Sequence, residues 1–109
     1  MKTKFLTLAF SLMVLLSSSV FAGEHIGFYD LVRVETGYGS EGVYANVKTP
    51  FVSKCGDDGS ALVIPSDHPL LKIMTAELMT AFVAGYKVGF YVEGCQYGRT
   101  KLQAVSFQK

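Results

Sequence analysis

The chain has 109 residues, half of them hydrophobic, with ten Lys and Arg against nine Asp and Glu. Lys2 and Lys4 belong to a leader-like start, so from Gly23 onward six Lys and two Arg face nine acids, a charge of −1. That balance excludes the basic patch nucleic-acid binding requires, and equally a polybasic membrane surface.

Met1 to Lys4 is basic, Phe5 to Leu16 is apolar, and Val20-Phe21-Ala22 puts small residues one and three positions before Gly23. These are the parts of a secretory signal peptide, predicted over 1–22. The apolar run is too short to span a bilayer, and no second run of spanning length follows, so no membrane insertion is expected. Residues 23–109 are read as a single exported domain, periplasmic or secreted.

The first strand is expected at Ile26 to Glu35, with loose period-two alternation interrupted at Asp30. Thr36 to Gly42 holds three Gly in seven residues and reads as a turn. A second strand covers Val43 to Thr49 and stops at Pro50. The polar loop Ser53 to Gly59 leads into a short third strand, Ser60 to Ile64.

Ser66 to Gly85 carries the helical signal. Ser66 or Asp67 suits the N-cap, Pro69 the first turn and Gly85 the left-handed stop. Leu71, Met74, Leu78, Ala81 and Phe82 form the apolar stripe, which Leu70, Ile73 and Met79 widen. A fourth strand follows at Tyr86 to Glu93, then a turn from Gly94 to Gly98, then a last strand from Arg99 to Gln108. In that strand the apolar side changes from Leu102 and Ala104 to Val105 and Phe107, as a β-bulge or burial on both faces would produce. The expected fold is mainly β with one helix, a small OB-like β-barrel in the order β-β-β-α-β-β. The competing architecture is an open five-stranded antiparallel sheet with the helix on one face.

Cys55 and Cys95 form an even pair in an exported chain, which predicts a disulfide. A redox or catalytic thiol would call for a C-x-x-C or an activating His, and neither is present. Asp57 and Asp58 between Gly56 and Gly59 resemble a cation loop but lack alternate spacing, so a solvated turn is the expectation. His25 and His68 lack a third nitrogen ligand for zinc. Tyr38-Gly39-Ser40-Glu41-Gly42 lacks the first Gly of a nucleophile elbow and lies between strands. No enzyme activity, cofactor or metal is expected.

The aromatics are the remaining signal. Tyr29, Tyr44 and Tyr91 read as outward on their strands, and Tyr38 and Tyr97 sit in Gly-rich turns. Exposed Tyr beside polar groups suits a sugar ring or a protein partner. Packing beneath loops is the alternative. Arg99 adds a charge that suits a sialic or uronic carboxylate. Tyr38, Tyr97 and Arg99 are therefore the candidate ligand-binding residues.

Leu70-Leu71-x-x-Met74-x-x-x-Leu78, followed by Ala84-Gly85-Tyr86-Lys87-Val88-Gly89-Phe90-Tyr91-Val92, resembles the helix–strand–strand half of the B subunits of subtilase-type and related pertussis-like AB toxins. It also resembles small exported bacterial proteins with the same layout. Val43 to Thr49 is similar to their second strand. The resemblance implies an OB-fold, a pentameric homo-oligomer and glycan binding at the cell surface. Two departures accompany it. The toxin subunits pair Cys across neighbouring strands of the first half, whereas here Cys55 must reach Cys95. Their sialic-acid-contacting Ser falls near Gly27 or Phe28, where this chain has no counterpart. The functional expectation is an exported, non-enzymatic binding module, glycan-binding by the resemblance. The alternative is a monomeric periplasmic inhibitor or structural accessory acting on a protein partner.

Overall fold

The computed structural model describes residues 21–36 and 40–109, so Tyr38 and residues 1–20 of the predicted leader lie outside the described residues. The elements are β1 (Glu24–Tyr29), β2 (Leu31–Thr36), β3 (Gly42–Val47), β4 (Ala61–Pro65), α1 (Leu71–Ala84), β5 (Lys87–Gln96) and β6 (Arg99–Gln108). They form one six-stranded sheet in the order β1-β5-β6-β4-β3-β2. β4 and β6 pair parallel and the other neighbours pair antiparallel.

The expected order β-β-β-α-β-β is thereby corrected to β-β-β-β-α-β-β. The first expected strand divides at Asp30 because its two halves pair with different partners, β1 with β5 and β2 with β3. The Asp30 carbonyl leaves both ladders and accepts the amide of Lys48 at 2.9 Å. β1 and β2 stand at opposite ends of the strand order yet are one residue apart, so the two ends of the sheet converge there. Among the described residues no pairing joins them and no closed barrel is seen.

In β6 the change of apolar side is a bulge. Tyr91 pairs with Ala104 and Val92 with Leu102, which leaves Gln103 as the extra residue. The β1–β5 ladder also slips between Ile26 and Tyr29. Tyr29 consequently turns inward, contrary to the simple alternation, and its ring lies 6.1 Å from Phe90 and 6.2 Å from Phe51.

The core comprises Val43, Ala45, Val47, Phe51, Leu62, Ile64, Met74, Leu78, Ala81, Val88, Phe90, Val92 and Leu102. From α1 it takes only the narrow line Met74, Leu78 and Ala81, with Leu71 half-buried. Phe82, expected in the stripe, is 42% exposed, and Leu70, Ile73, Met79 and Val83 are also exposed. One helix on one side of a sheet turns about one stripe inward, and residues flanking that stripe stay in solvent.

The helix start also departs from expectation. Ser66 and Asp67 precede it by a turn, the N-cap position is Leu70 and no side chain caps it there. Nδ1 of His68 instead accepts the Leu70 amide at 3.0 Å. The other ring nitrogen must then carry the proton, and Nε2 donates to Gln103 at 3.0 Å. At the far end Gly85 takes φ 74° and its amide bonds Ala81, the left-handed stop expected of it. Among the described residues no helix is long and apolar enough to cross a membrane.

Candidate functional site

Two of the candidate residues, Tyr97 and Arg99, meet on the hairpin joining β5 to β6. Gln96 pairs with Arg99, so the turn has two central residues, Tyr97 and Gly98. Both have positive φ, 53° and 70°, as in a type I′ turn. That conformation suits Asn-Gly. A Tyr there is strained by about 1–2 kcal/mol, because its Cβ crowds the following carbonyl. Tyr97 is the one non-glycine residue with positive φ among the described residues, and it is 48% exposed.

The hairpin is tied to the loop from Phe51 to Gly59. Phe51 is buried and donates its amide to the Gly59 carbonyl at 3.1 Å, closing the loop at its neck. Gly59 has φ 75°, and a Cβ there would come within 1.8 Å of the Phe51 carbonyl oxygen, so only Gly fits. The predicted disulfide is present between Cys55 and Cys95, with Cα atoms 5.7 Å apart. Ser53 and Thr100 add a hydroxyl contact of 3.3 Å between loop and strand.

Arg99 completes the brace. Its Nη1 donates to Asp57 Oδ2 and to Asp58 Oδ1, both at 3.2 Å. Asp57 is only 8% exposed. The Ser53 hydroxyl donates to its Oδ1, and the Gly59 amide donates to Oδ2 at 3.2 Å. Asp58 accepts from the Ser60 amide at 2.9 Å and hydroxyl at 2.6 Å. The Ser60 hydroxyl and then its amide hold the Asp58 carboxyl below the usual carboxylate range against desolvation, and Arg99 adds smaller effects in the same downward direction. The two acids are thus more than a solvated turn, because their cation is supplied by the chain itself.

Beside this brace, on the outer face of β3, Tyr44 donates its hydroxyl to Glu41. Val63 lies opposite Tyr44, and Lys101 lies opposite Val63. Although Tyr44 points outward as expected, it is only 7% exposed and forms a small second cluster with Ala61 and Val63. Burial, then the bond to Glu41 and the Glu41 charge, push the Tyr44 hydroxyl up to about 12, with Arg99 pulling the other way. The fold therefore holds this proton more tightly than the unfolded chain does. Its contribution is fully present below pH 10 and is lost as pH rises toward about 12. Stability against denaturant should fall across that interval, and the Tyr44→Phe variant should lack that part of the slope. Equal slopes in both proteins would show that this hydroxyl is not held.

No family model, curated protein or solved structure matches this chain.

Tyr38 lies outside the described residues. Tyr91 is half-buried with His25 against its ring, centroids 4.9 Å apart. Among the described residues no group of three or more His, Cys, Asp or Glu is placed to hold a metal. Two clefts among the described residues lie away from Tyr97 and Arg99. One of about 490 Å³ is lined by Ser66, His68, Pro69, Leu71, Lys72 and Ile73. The other, about 420 Å³, runs from His25 to Phe28 beside Gly89. A smaller one, about 260 Å³, borders the hairpin at Gln96, Lys101 and Gln103.

The Arg99 clamp and the Tyr44–Glu41 bond are absent from the sequence reading. The clamp has a signal in retrospect. Once Cys55 is joined to Cys95, residues two and three beyond the first come within reach of the residue four beyond the second.

Proposed function

We propose that the protein is an exported, non-enzymatic binding module that receives a glycan on the outer face around Tyr97 and Arg99. The supporting observation is a half-exposed Tyr held in a strained left-handed turn, on a hairpin braced by a disulfide and two ion pairs. Backbone strain of this kind concentrates at functional sites. A braced hairpin loses little freedom on binding, and an aromatic ring near a guanidinium suits a sugar.

The scaffold assigned to this module is an OB-like barrel. β1 and β2 act as one strand bent at Asp30, β4 pairs parallel with β6, and α1 lies between β4 and β5 in the chain, a layout in keeping with that fold. The disulfide supports an oxidising compartment, periplasmic or extracellular. The likeness to toxin B subunits rests on the helix and strand residues quoted above.

A second reading has its own support. Ile73, Met79, Phe82 and Val83 are exposed on α1, an apolar surface that favours a protein contact. It would serve either a homo-oligomer, pentameric by the toxin likeness, or a monomeric inhibitor seated on a partner. Light scattering separates these two.

The test of the glycan reading is a glycan array probed with the purified protein and with Tyr97→Asn. Signal that Tyr97→Asn loses at least tenfold supports the reading. No signal, or signal that the variant keeps, removes it.

A further inference from the structure

We infer that the glycan is held as a chain of sugars, the unit next to the one at Tyr97 lying in the cleft between the hairpin and the turn that leads into α1; this rests on the glycan reading above. Gln96, the neighbour of Tyr97 in the chain, lines that cleft together with Asp67, His68, Lys101 and Gln103. The cleft thus begins one residue from Tyr97, a step of about 3.8 Å along the backbone. Its volume is about 260 Å³. Pockets that enclose a whole small-molecule ligand run from about 300 to about 1,000 Å³, so this one takes a part of a larger ligand.

Strand pairing brings the lining together. β4 runs parallel to β6, with Leu62 beside Thr100 and Val63 beside Lys101, so the end of β4 at Pro65 comes level with Gln103. The chain turns there, the Pro65 carbonyl accepting the His68 amide at 3.0 Å, and the His68 ring meets the Gln103 side chain. Because Nδ1 of His68 accepts the Leu70 amide, its Nε2 is the donor and the Gln103 oxygen the acceptor. That contact fixes which way the Gln103 amide lies. Its NH2 group is left as a donor with no partner among the described residues.

The other polar groups of the cleft are also unspent. Among the described residues neither Lys101 nor Asp67 forms an ion pair. The lining therefore offers donors from Lys101 and Gln103, an acceptor from Asp67 and both kinds from the Gln96 amide. Sugar hydroxyls both donate and accept, so a ring that carries several of them meets such a mixture, whereas a purely anionic or purely cationic group meets half of it. Past His68 and Pro69, which it shares with the larger cleft at the start of α1, the groove continues in the direction a third unit would take.

The experiment uses an array that carries each sugar alone and as the end unit of two-unit and three-unit chains. Two or three hydrogen bonds of ordinary net strength multiply affinity by about tenfold or more, so the chains should bind at least about tenfold more strongly than the single sugar. In Gln96→Ala with Lys101→Ala the ratio of chain to single sugar should fall toward one. If that pair fails to fold, the exposed Asp67→Ala carries the comparison alone. Single sugars bound as strongly as their chains, or a ratio that these variants leave unaltered, overturn this inference and leave the glycan reading standing. Glycan signal that Tyr97→Asn does not reduce, or no signal at all, overturns both.

Discussion

Replacing Cys55 and Cys95 together with Ser should lower stability by about 4 kcal/mol, the chain-entropy value for a cross-link of this span. The bond joins residues 40 apart, and it ties an irregular loop to the β5–β6 hairpin. The loop from Phe51 to Gly59 has no regular structure, and the hairpin tip contains a strained Tyr97. Small domains hold about 5–15 kcal/mol in all, so the loss is a large fraction of the total. Residual order is still expected, because Arg99 spans the same gap to Asp57 and Asp58 and Ser53 touches Thr100. Urea unfolding of the two proteins decides it. A loss under about 1 kcal/mol would mean that the ion pairs alone hold loop and hairpin together and that the disulfide is dispensable to the brace.

The second large effect belongs to the helix. Leu78 is fully buried between Met74 and Ala81, so Leu78→Ala should cost about 2–5 kcal/mol through lost burial and the cavity left behind. Phe82 is one turn further along and 42% exposed. Phe82→Ala should therefore cost under about 1.5 kcal/mol despite removing a larger side chain, and Lys72→Ala should stay within about 0.5 kcal/mol. Equal large losses at Leu78 and Phe82 would restore the wider stripe and require something to cover the outer side of the helix. Sub-unit losses at both would mean that α1 does not pack on the sheet.

The comparison between these two positions shows what pattern alone conveys. Spacing of three and four marks Leu78 and Phe82 equally, since it records which residues share a side of the helix. How wide a side the sheet covers depends on the strands beneath. The same limit explains Asp30. Apolar residues continue on either side of it, so the pattern reads as one interrupted strand, and only the choice of partners makes two. Where a local rule acts alone, the reading holds: Gly85 ends the helix, the change of side in β6 is a bulge at Gln103, and the lone pair of Cys is joined. The helix cap is not legible, because Ser66 and Asp67 are better capping types than His68, yet it is the His68 ring that meets the free Leu70 amide. The candidate site was legible as residue types and not as a constellation. Tyr97 beside Gly98 in a turn is visible in one dimension. The grip of Asp57 and Asp58 on Arg99 links residues 42 and 41 apart, and it follows only after the disulfide has brought the segments together.

The most direct measurement of the central claim, that Tyr97 is held in strain for binding, is to follow melting temperature and glycan affinity together in Tyr97→Asn. Asn-Gly is the favoured pair for this turn, so relief of strain worth about 1 kcal/mol should offset or exceed the packing lost with the ring. The account predicts an unchanged or raised melting temperature together with at least tenfold weaker binding. A lowered melting temperature with binding intact would contradict it and assign Tyr97 to the packing of the hairpin.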